Sequence, residues 1–197
     1  PKNAQRLSIA RERLAFEEVF LDQLIFAYKR KSHLAQNGGF IFSKLKPNFN
    51  NFYENILPFE LTNAQKKVIK EIRENAASGL HMNRLIQGDV GSGKTLVAFM
   101  SLLMAVDNGH QTAMMAPTEI LAQQHYSSLT PWAEKLGITI SLLTGSVKKS
   151  ARKIMFKNLE SGHIDILVGT HALIEDPVIF KNLGIAIIDE QHKFGVA

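Results

Sequence analysis

From Ala4 to Arg30, apolar residues recur at helical spacing: Leu7, Ala10, Leu14, Leu21, Leu24, Ile25 and Tyr28, with Arg11, Glu12, Glu18, Asp22 and Lys29 between them. The pattern predicts one long amphipathic helix over residues 1–30. Phe16, Val19, Phe20 and Phe26 widen its apolar face, which predicts packing against more than one element. Over residues 31–56 no period survives. Gly38-Gly39, Pro47 and the run Asn48-Phe49-Asn50-Asn51-Phe52-Tyr53 are rich in turn formers, and the segment is expected to be a linker. From Leu57 onward short apolar runs alternate with helical stretches, the signature of an α/β domain with a parallel sheet covered by helices. Strands are expected at 84–87, 112–116, 139–143, 164–168 and 185–189, and helices at 63–77, 94–108, 119–136 and 150–160. Thr62 and Thr118 stand where N-caps belong and Gly109 where a C-cap belongs. Pro131 should kink or break the third of these helices.

Composition narrows the class without naming a function. The chain has 197 residues, 45% hydrophobic and 21% charged, which excludes wholesale disorder, a coiled coil and a collagen-like fold. It has no run of about 18 apolar residues, and Pro1-Lys2-Asn3 does not begin a signal peptide, so neither a membrane span nor secretion is expected. No cysteine is present, which removes disulfides and thiolate metal sites and fits a cytoplasmic location. A net charge of +5 permits nucleic acid as a partner without demanding it.

The chemistry is carried by two short strings. Gly88-Asp89-Val90-Gly91-Ser92-Gly93-Lys94-Thr95 satisfies G-x-x-x-x-G-K-[ST] in full and sits between an apolar run and a helical stretch. Glycines let the backbone curl so that successive N–H groups face phosphate oxygens, and the helix start adds its positive dipole end. Lys94 is then expected on the β and γ phosphates of ATP and the Thr95 hydroxyl on Mg2+. The second string, Ile185-Ala186-Ile187-Ile188-Asp189-Glu190, places two acids at the carboxyl end of a buried strand, the edge where open α/β sheets bind ligands. Asp189 is expected to hold Mg2+ and Glu190 to orient and deprotonate the attacking water.

Asp189-Glu190-Gln191-His192 resembles the DExH box of superfamily 2 helicases, and further motifs of a first, RecA-like helicase domain occur in order around it. Ala116-Pro117-Thr118-Glu119-Ile120-Leu121-Ala122-Gln123-Gln124-His125 is similar to motif Ia, Thr144-Gly145-Ser146 to motif Ib, and Gly169-Thr170-His171-Ala172-Leu173 to the nucleic-acid-contacting loop before the acidic box. Leu57 to Gln65 resembles the entry segment whose Gln reads adenine. With Phe194-Gly195-Val196 after the box, the set most resembles the bacterial RecG branch-migration helicases. Transcription-repair coupling factors are the nearest rival, disfavoured by Ser92 in the phosphate loop and Gln191 in the box. A nucleotide-binding regulatory module that does not hydrolyse is a third reading, opposed by the intact Lys94, Thr95, Asp189 and Glu190.

The resemblance covers residues 57–197 closely and implies an ATP-dependent DNA helicase or translocase acting on branched or forked DNA in recombination and repair. It further implies a wedge domain, a second RecA-like domain with the arginine finger, and a fold that is incomplete at the C-terminal end of this chain. The strand bearing the next motif should lie between 84–87 and 185–189, leaving those two about 10 Å apart with no ladder.

Residue roles follow from the same resemblance. Gln65 is expected on adenine, although Thr62-Asn63-Ala64-Gln65 also spells a capping box, and geometry permits one role at a time. Phe59 is expected either to stack on the base or to anchor the linker. Pro117, Thr118, Gly145, Ser146, Gly169, Thr170 and His171 are expected to meet the DNA backbone, which carries little sequence information. Gln191 and His192 are expected to couple the nucleotide and DNA sites. Lys148, Lys149, Arg152 and Lys153 read as a solvated charged face that could extend a basic track, and Trp132 as core packing.

Overall fold

The computed structural model describes residues 4–36, 38–43 and 47–194; Gly195 and Val196 of the last motif lie outside them. Helix α1 (Ala4–Gln36) runs six residues beyond the expected end, about 50 Å at 1.5 Å per residue. Its apolar residues, among them Leu14, Phe16, Phe20, Leu21, Leu24, Ile25 and Phe26, stay exposed. The packing expected of this helix is not found among the described residues. Successive apolar positions such as 19, 20 and 21 point about 100° apart, so they surround the helix and form no single stripe.

Among the described residues, the segment expected to be a linker is mostly exposed but is anchored to the core by three buried aromatics, Phe42, Phe49 and Phe52. Gly39 N–H donates to the Gly79 carbonyl (2.7 Å) and Phe42 N–H to that of Ala76 (2.9 Å). A Cβ on Gly39 would lie 2.7 Å from the backbone of Leu80, so this approach requires glycine. Helix α2 (Pro47–Asn51) and a wide helical turn (Phe52–Ile56) follow. Phe52 is fully buried, edge-on to Phe99 and Trp132 at centroid distances of 5.0 and 5.2 Å. Burying such a ring contributes about 1.5–3 kcal/mol, enough to hold an otherwise irregular segment in place. Phe49 N–H donates to the buried Asp107 carboxylate at 3.0 Å.

Helix α3 (Asn63–Ala77) opens with a complete Thr62–Gln65 capping box, and α4 (Lys94–Asp107) follows the phosphate loop. Strand β1 (Gln111–Met115) leads through the Thr118 N-cap into α5 (Glu119–Leu136), which continues through Pro131. Strand β2 (Ile140–Leu143), α6 (Lys149–Ser161), β3 (Ile166–Gly169) and β4 (Leu183–Ile188) complete the unit. The strands form one parallel sheet in the order β2-β3-β1-β4, with Met115 opposite Gly169 on one side and Ile188 on the other. Almost every residue of α4 is buried, because the helix is apolar all round and lies between the sheet and the α2–α3 layer.

The expected strand at 84–87 does not form. Residues 81–88 carry no regular structure, and Leu85 is 71% exposed. A strand needs a ladder, and no described strand pairs with the edge of β4 facing away from β1. Arg84 instead bonds α3, reaching Glu71 at 2.6 Å and Asn75 at 3.1 Å. Because 84–87 is not a strand, no ladder joins it to β4.

One buried side chain ties the far edge of the sheet together. Gln111 Nε2 donates to the carbonyls of Leu159 (2.9 Å) and Ile164 (2.7 Å), while its Oε1 accepts from Lys181 N (2.8 Å) and Asn182 N (3.2 Å). Gln111→Leu would leave these backbone groups without their partner at about 1–3 kcal/mol for each group left unsatisfied. The Leu159 carbonyl keeps its bond from Gly162 N–H, so with three groups left urea denaturation should show a loss of at least about 3 kcal/mol. A loss below about 1 kcal/mol would mean that water replaces the amide.

Candidate active site

Helix α4 and β1 are joined by a tight turn, so they run antiparallel, and the N-terminus of α4 lies at the carboxyl end of β1. Because β4 is parallel to β1, its following residues Asp189 and Glu190 emerge at the same edge. The fold thus brings the phosphate loop and the acid pair, about a hundred residues apart in the chain, to one end of the sheet.

Within the loop, Gly91 and Gly93 take φ of 80° and 81°, left-handed values that explain glycine at both positions. A Cβ on Gly93 would press on the end of the Gln65 side chain, which would have to shift. The N–H groups of Lys94 and Thr95, at the start of α4, find no acceptor among the described residues. The Lys94 ammonium donates to the Gly88 (2.6 Å) and Asp89 (2.8 Å) carbonyls of its own loop, with no carboxylate paired to it. A cation held only by neutral carbonyls beside free helix-start N–H groups fits the triphosphate of ATP. Among the described residues no three His, Cys, Asp or Glu side chains group as a metal cage. Thr95 and Asp189 suit Mg2+, which takes one or two protein ligands and fills its shell with phosphate and water.

Gln65 is engaged at both ends of its amide. Its Oε1 accepts from Thr62 N–H (2.9 Å) in the capping box, and its Nε2 donates to the Ser92 carbonyl (2.9 Å) of the phosphate loop. In this structure it takes the capping role and ties the loop to α3, with one N–H and one oxygen lone pair of the amide not engaged by these bonds. Phe59 is 55% exposed, which removes the reading of it as a buried anchor and leaves the ring free to stack.

Asp189 N–H continues the ladder to the Met115 carbonyl at 2.8 Å, and its carboxylate meets His125 Nε2 at 2.7 Å. Glu190 is the one non-glycine residue with positive φ among those described, at 50°. Such a conformation costs of order 1 kcal/mol and is characteristic of functional turns. The Glu190 carboxylate lies 3.3 Å from His192 Nε2 and 3.9 Å from Lys193 Nζ. Gln191 and His192 are exposed in the short helical turn that follows.

The loops after β1, β2 and β3 share this edge, but their residues divide. Thr118 is exposed and caps α5 by accepting from Leu121 N–H at 3.3 Å. Pro117 is half-buried, and Gly145, Ser146 and His171 are exposed. Gly169 and Thr170 are not available in the way expected. A Cβ on Gly169 would strike the Leu143 carbonyl, so this glycine serves strand packing. Thr170 is 2% exposed and its hydroxyl is buried, out of reach of a strand lying on the surface.

Three residues here were not singled out for a role at the site. Arg152, expected on a solvated face, is largely covered; its Nη2 donates to the Thr144 (2.7 Å) and Gly145 (3.2 Å) carbonyls, fixing the motif Ib loop. Glu119 accepts from Ser146 N–H at 3.2 Å, so a carboxylate holds the amide expected to meet a phosphate. His125 reaches the acidic box. Glu119 and His125 act on loops that follow other strands, whereas Arg152 folds back on the loop just before its own helix.

A profile of the DEAD/DEAH box helicases matches residues 62–197. The whole chain is 46% identical to an ATP-dependent DNA helicase RecG from Synechocystis sp. and 48% identical to those of Bacillus subtilis and Thermotoga maritima, covering 24%, 29% and 25% of their lengths. A solved structure of RecG bound to a three-way DNA junction superposes over the full chain with a TM-score of 0.86 at 46% identity, covering 27% of that chain. A hypothetical ATP-dependent RNA helicase from Sulfolobus tokodaii shares the fold at a TM-score of 0.56 and 20% identity over 74% of this chain and 41% of its own. The chain spans about a quarter of the length of the RecG relatives it matches.

Proposed function

Because the chain belongs to the DEAD/DEAH box helicase family, we propose that it forms one wall of the ATP site in a RecG-type motor that drives branch migration or fork regression on branched DNA. The observation that carries this reading is the convergence at one sheet edge of a Lys94 ammonium held by carbonyls with no carboxylate partner and the Asp189–Glu190 pair, beside loops suited to a DNA backbone. The RecG relatives favour it over a coupling factor or a non-hydrolysing module.

In this mechanism the free N–H groups at the start of α4 orient the triphosphate, and Lys94 leaves the Gly88 and Asp89 carbonyls for the β and γ phosphates. Thr95 and Asp189 would hold the cation. Mg2+, when bound, neutralises charge on the phosphoryl group in transfer. Glu190 accepts the proton of the attacking water. A second RecA-like domain closes the other wall and supplies the arginine finger, and a wedge domain meets the branch point. Pro117, Thr118, Gly145, Ser146 and His171 face the DNA backbone, and Gln191 and His192 link its occupancy to the acid pair. No helix among the described residues is long and apolar enough to cross a membrane, and we place the motor in the cytoplasm, with the DNA.

The test uses the intact protein that carries this chain, with a labelled three-way junction and a linear duplex of equal length. ATP with Mg2+ should dissociate the junction, while the duplex and the non-hydrolysable analogue should give no product. Equal unwinding of linear duplex, or junction dissociation without hydrolysis, would refute the proposal.

A further inference from the structure

Helix α5 lies over β2 and β3, whereas Asp189 follows β4, on the far side of β1. One side chain spans that separation. His125, two turns into α5, places its Nε2 2.7 Å from Asp189 Oδ2, with side-chain exposures of 12% and 25%. An ionised carboxylate only accepts, so the Nε2 atom carries the hydrogen and the tautomer is set by the contact itself. A short, partly buried N–H bond to a carboxylate is among the stronger hydrogen bonds a protein makes, and it fixes the rotation of the acid. The contact uses one lone pair of Oδ2 and leaves the rest of the carboxylate's acceptor capacity for a hydrated cation. The backbone of Asp189 is independently fixed by its bond to Met115, so His125 acts on the carboxylate alone.

We infer that His125 is a positioning residue for Asp189, holding the carboxylate in the orientation that binds the divalent cation of the nucleotide complex. This rests on the reading of Asp189 as a metal-bearing acid. A general structural role, pinning α5 to the end of β4, would need only the packing of the imidazole. A positioning role needs a hydrogen-bond donor at Nε2. Glutamine can supply a donor near that atom, while leucine fills similar volume without one.

The experiment measures Mn2+ affinity of the ADP-bound intact protein by electron paramagnetic resonance, together with ADP affinity in the absence of metal. Outer-shell partners of metal ligands typically change affinity by about 10–100-fold when removed. His125→Leu should weaken Mn2+ binding by about tenfold, leave metal-free ADP affinity unchanged, and melt cooperatively. His125→Gln should recover most of the Mn2+ affinity. Wild-type Mn2+ affinity in His125→Leu would overturn the inference, as would a His125→Gln protein as impaired as His125→Leu. Asp189→Asn separates the two levels of the argument. If it loses Mn2+ affinity while His125→Leu does not, only the role of His125 fails; if it binds Mn2+ like wild type, the reading of Asp189 fails and this inference with it.

Discussion

Lys94→Ala is expected to lower ATP turnover of the intact protein by about 10³-fold or more while leaving its fold and melting behaviour intact. The structure explains both halves of this expectation. Lys94 lies at the first position of α4, and its ammonium touches only the Gly88 and Asp89 carbonyls of an exposed loop. Losing two such bonds costs the fold of order 1 kcal/mol or less, because water takes their place. Catalysis loses far more. The ammonium is the one side-chain cation found in the phosphate loop, and a preorganised charge aimed at a phosphoryl group stabilises the transition state by several kcal/mol. Turnover within tenfold of wild type, measured by phosphate release with saturating DNA, would remove Lys94 from the reaction.

Glu190→Gln should keep nucleotide affinity within about threefold and lower kcat by about 10²–10⁴-fold, the usual contribution of a positioned general base. The amide preserves the shape of the side chain but cannot take a proton. The backbone at Glu190 holds a left-handed conformation, φ 50°, that glutamine tolerates no worse, so loss of activity would not reflect a broken turn. In the structure the carboxylate lies beside His192 and Lys193 and is about one-third exposed, so water reaches it. A fall in ADP or ATP affinity as large as that of Lys94→Ala would instead mark Glu190 as a group that holds the nucleotide or its metal. The two variants therefore differ in kind: one weakens the grip on phosphate, the other halts proton transfer with the grip retained.

What could be read from sequence depended on how local each feature is. The phosphate loop is contiguous, and its glycine positions answer to backbone angles that the string itself dictates, as at Gly91 and Gly93. The acid pair follows four apolar residues of β4, so its place at the sheet edge was equally legible. Residues 31–56 misled because their burial depends on a few aromatics. Phe49 and Phe52 enter the core without any period, and their partners Asp107, Phe99 and Trp132 lie far along the chain. The expected strand at 84–87 failed for a different reason: β propensity does not make a strand where, among the described residues, no neighbouring strand offers a ladder. Gly169 and Thr170 form a string that reads the same whether it faces DNA or the Leu143 carbonyl, and only the packing of β2 against β3 distinguishes the two. Glu119 and His125 act across the sheet edge on loops of other strands, and Arg152 turns back on the loop before its own helix, relations that helical periodicity cannot express.

The central claim is that residues 88–95 with Asp189 form an ATP site, and the most direct test is a crystal structure of the protein with Mg2+ and a non-hydrolysable ATP analogue. The account predicts the β and γ phosphates inside the loop, Lys94 Nζ moved from the Gly88 and Asp89 carbonyls to phosphate oxygens, and Thr95 and Asp189 facing the metal. A nucleotide bound elsewhere, with Lys94 still on those two carbonyls, would contradict it.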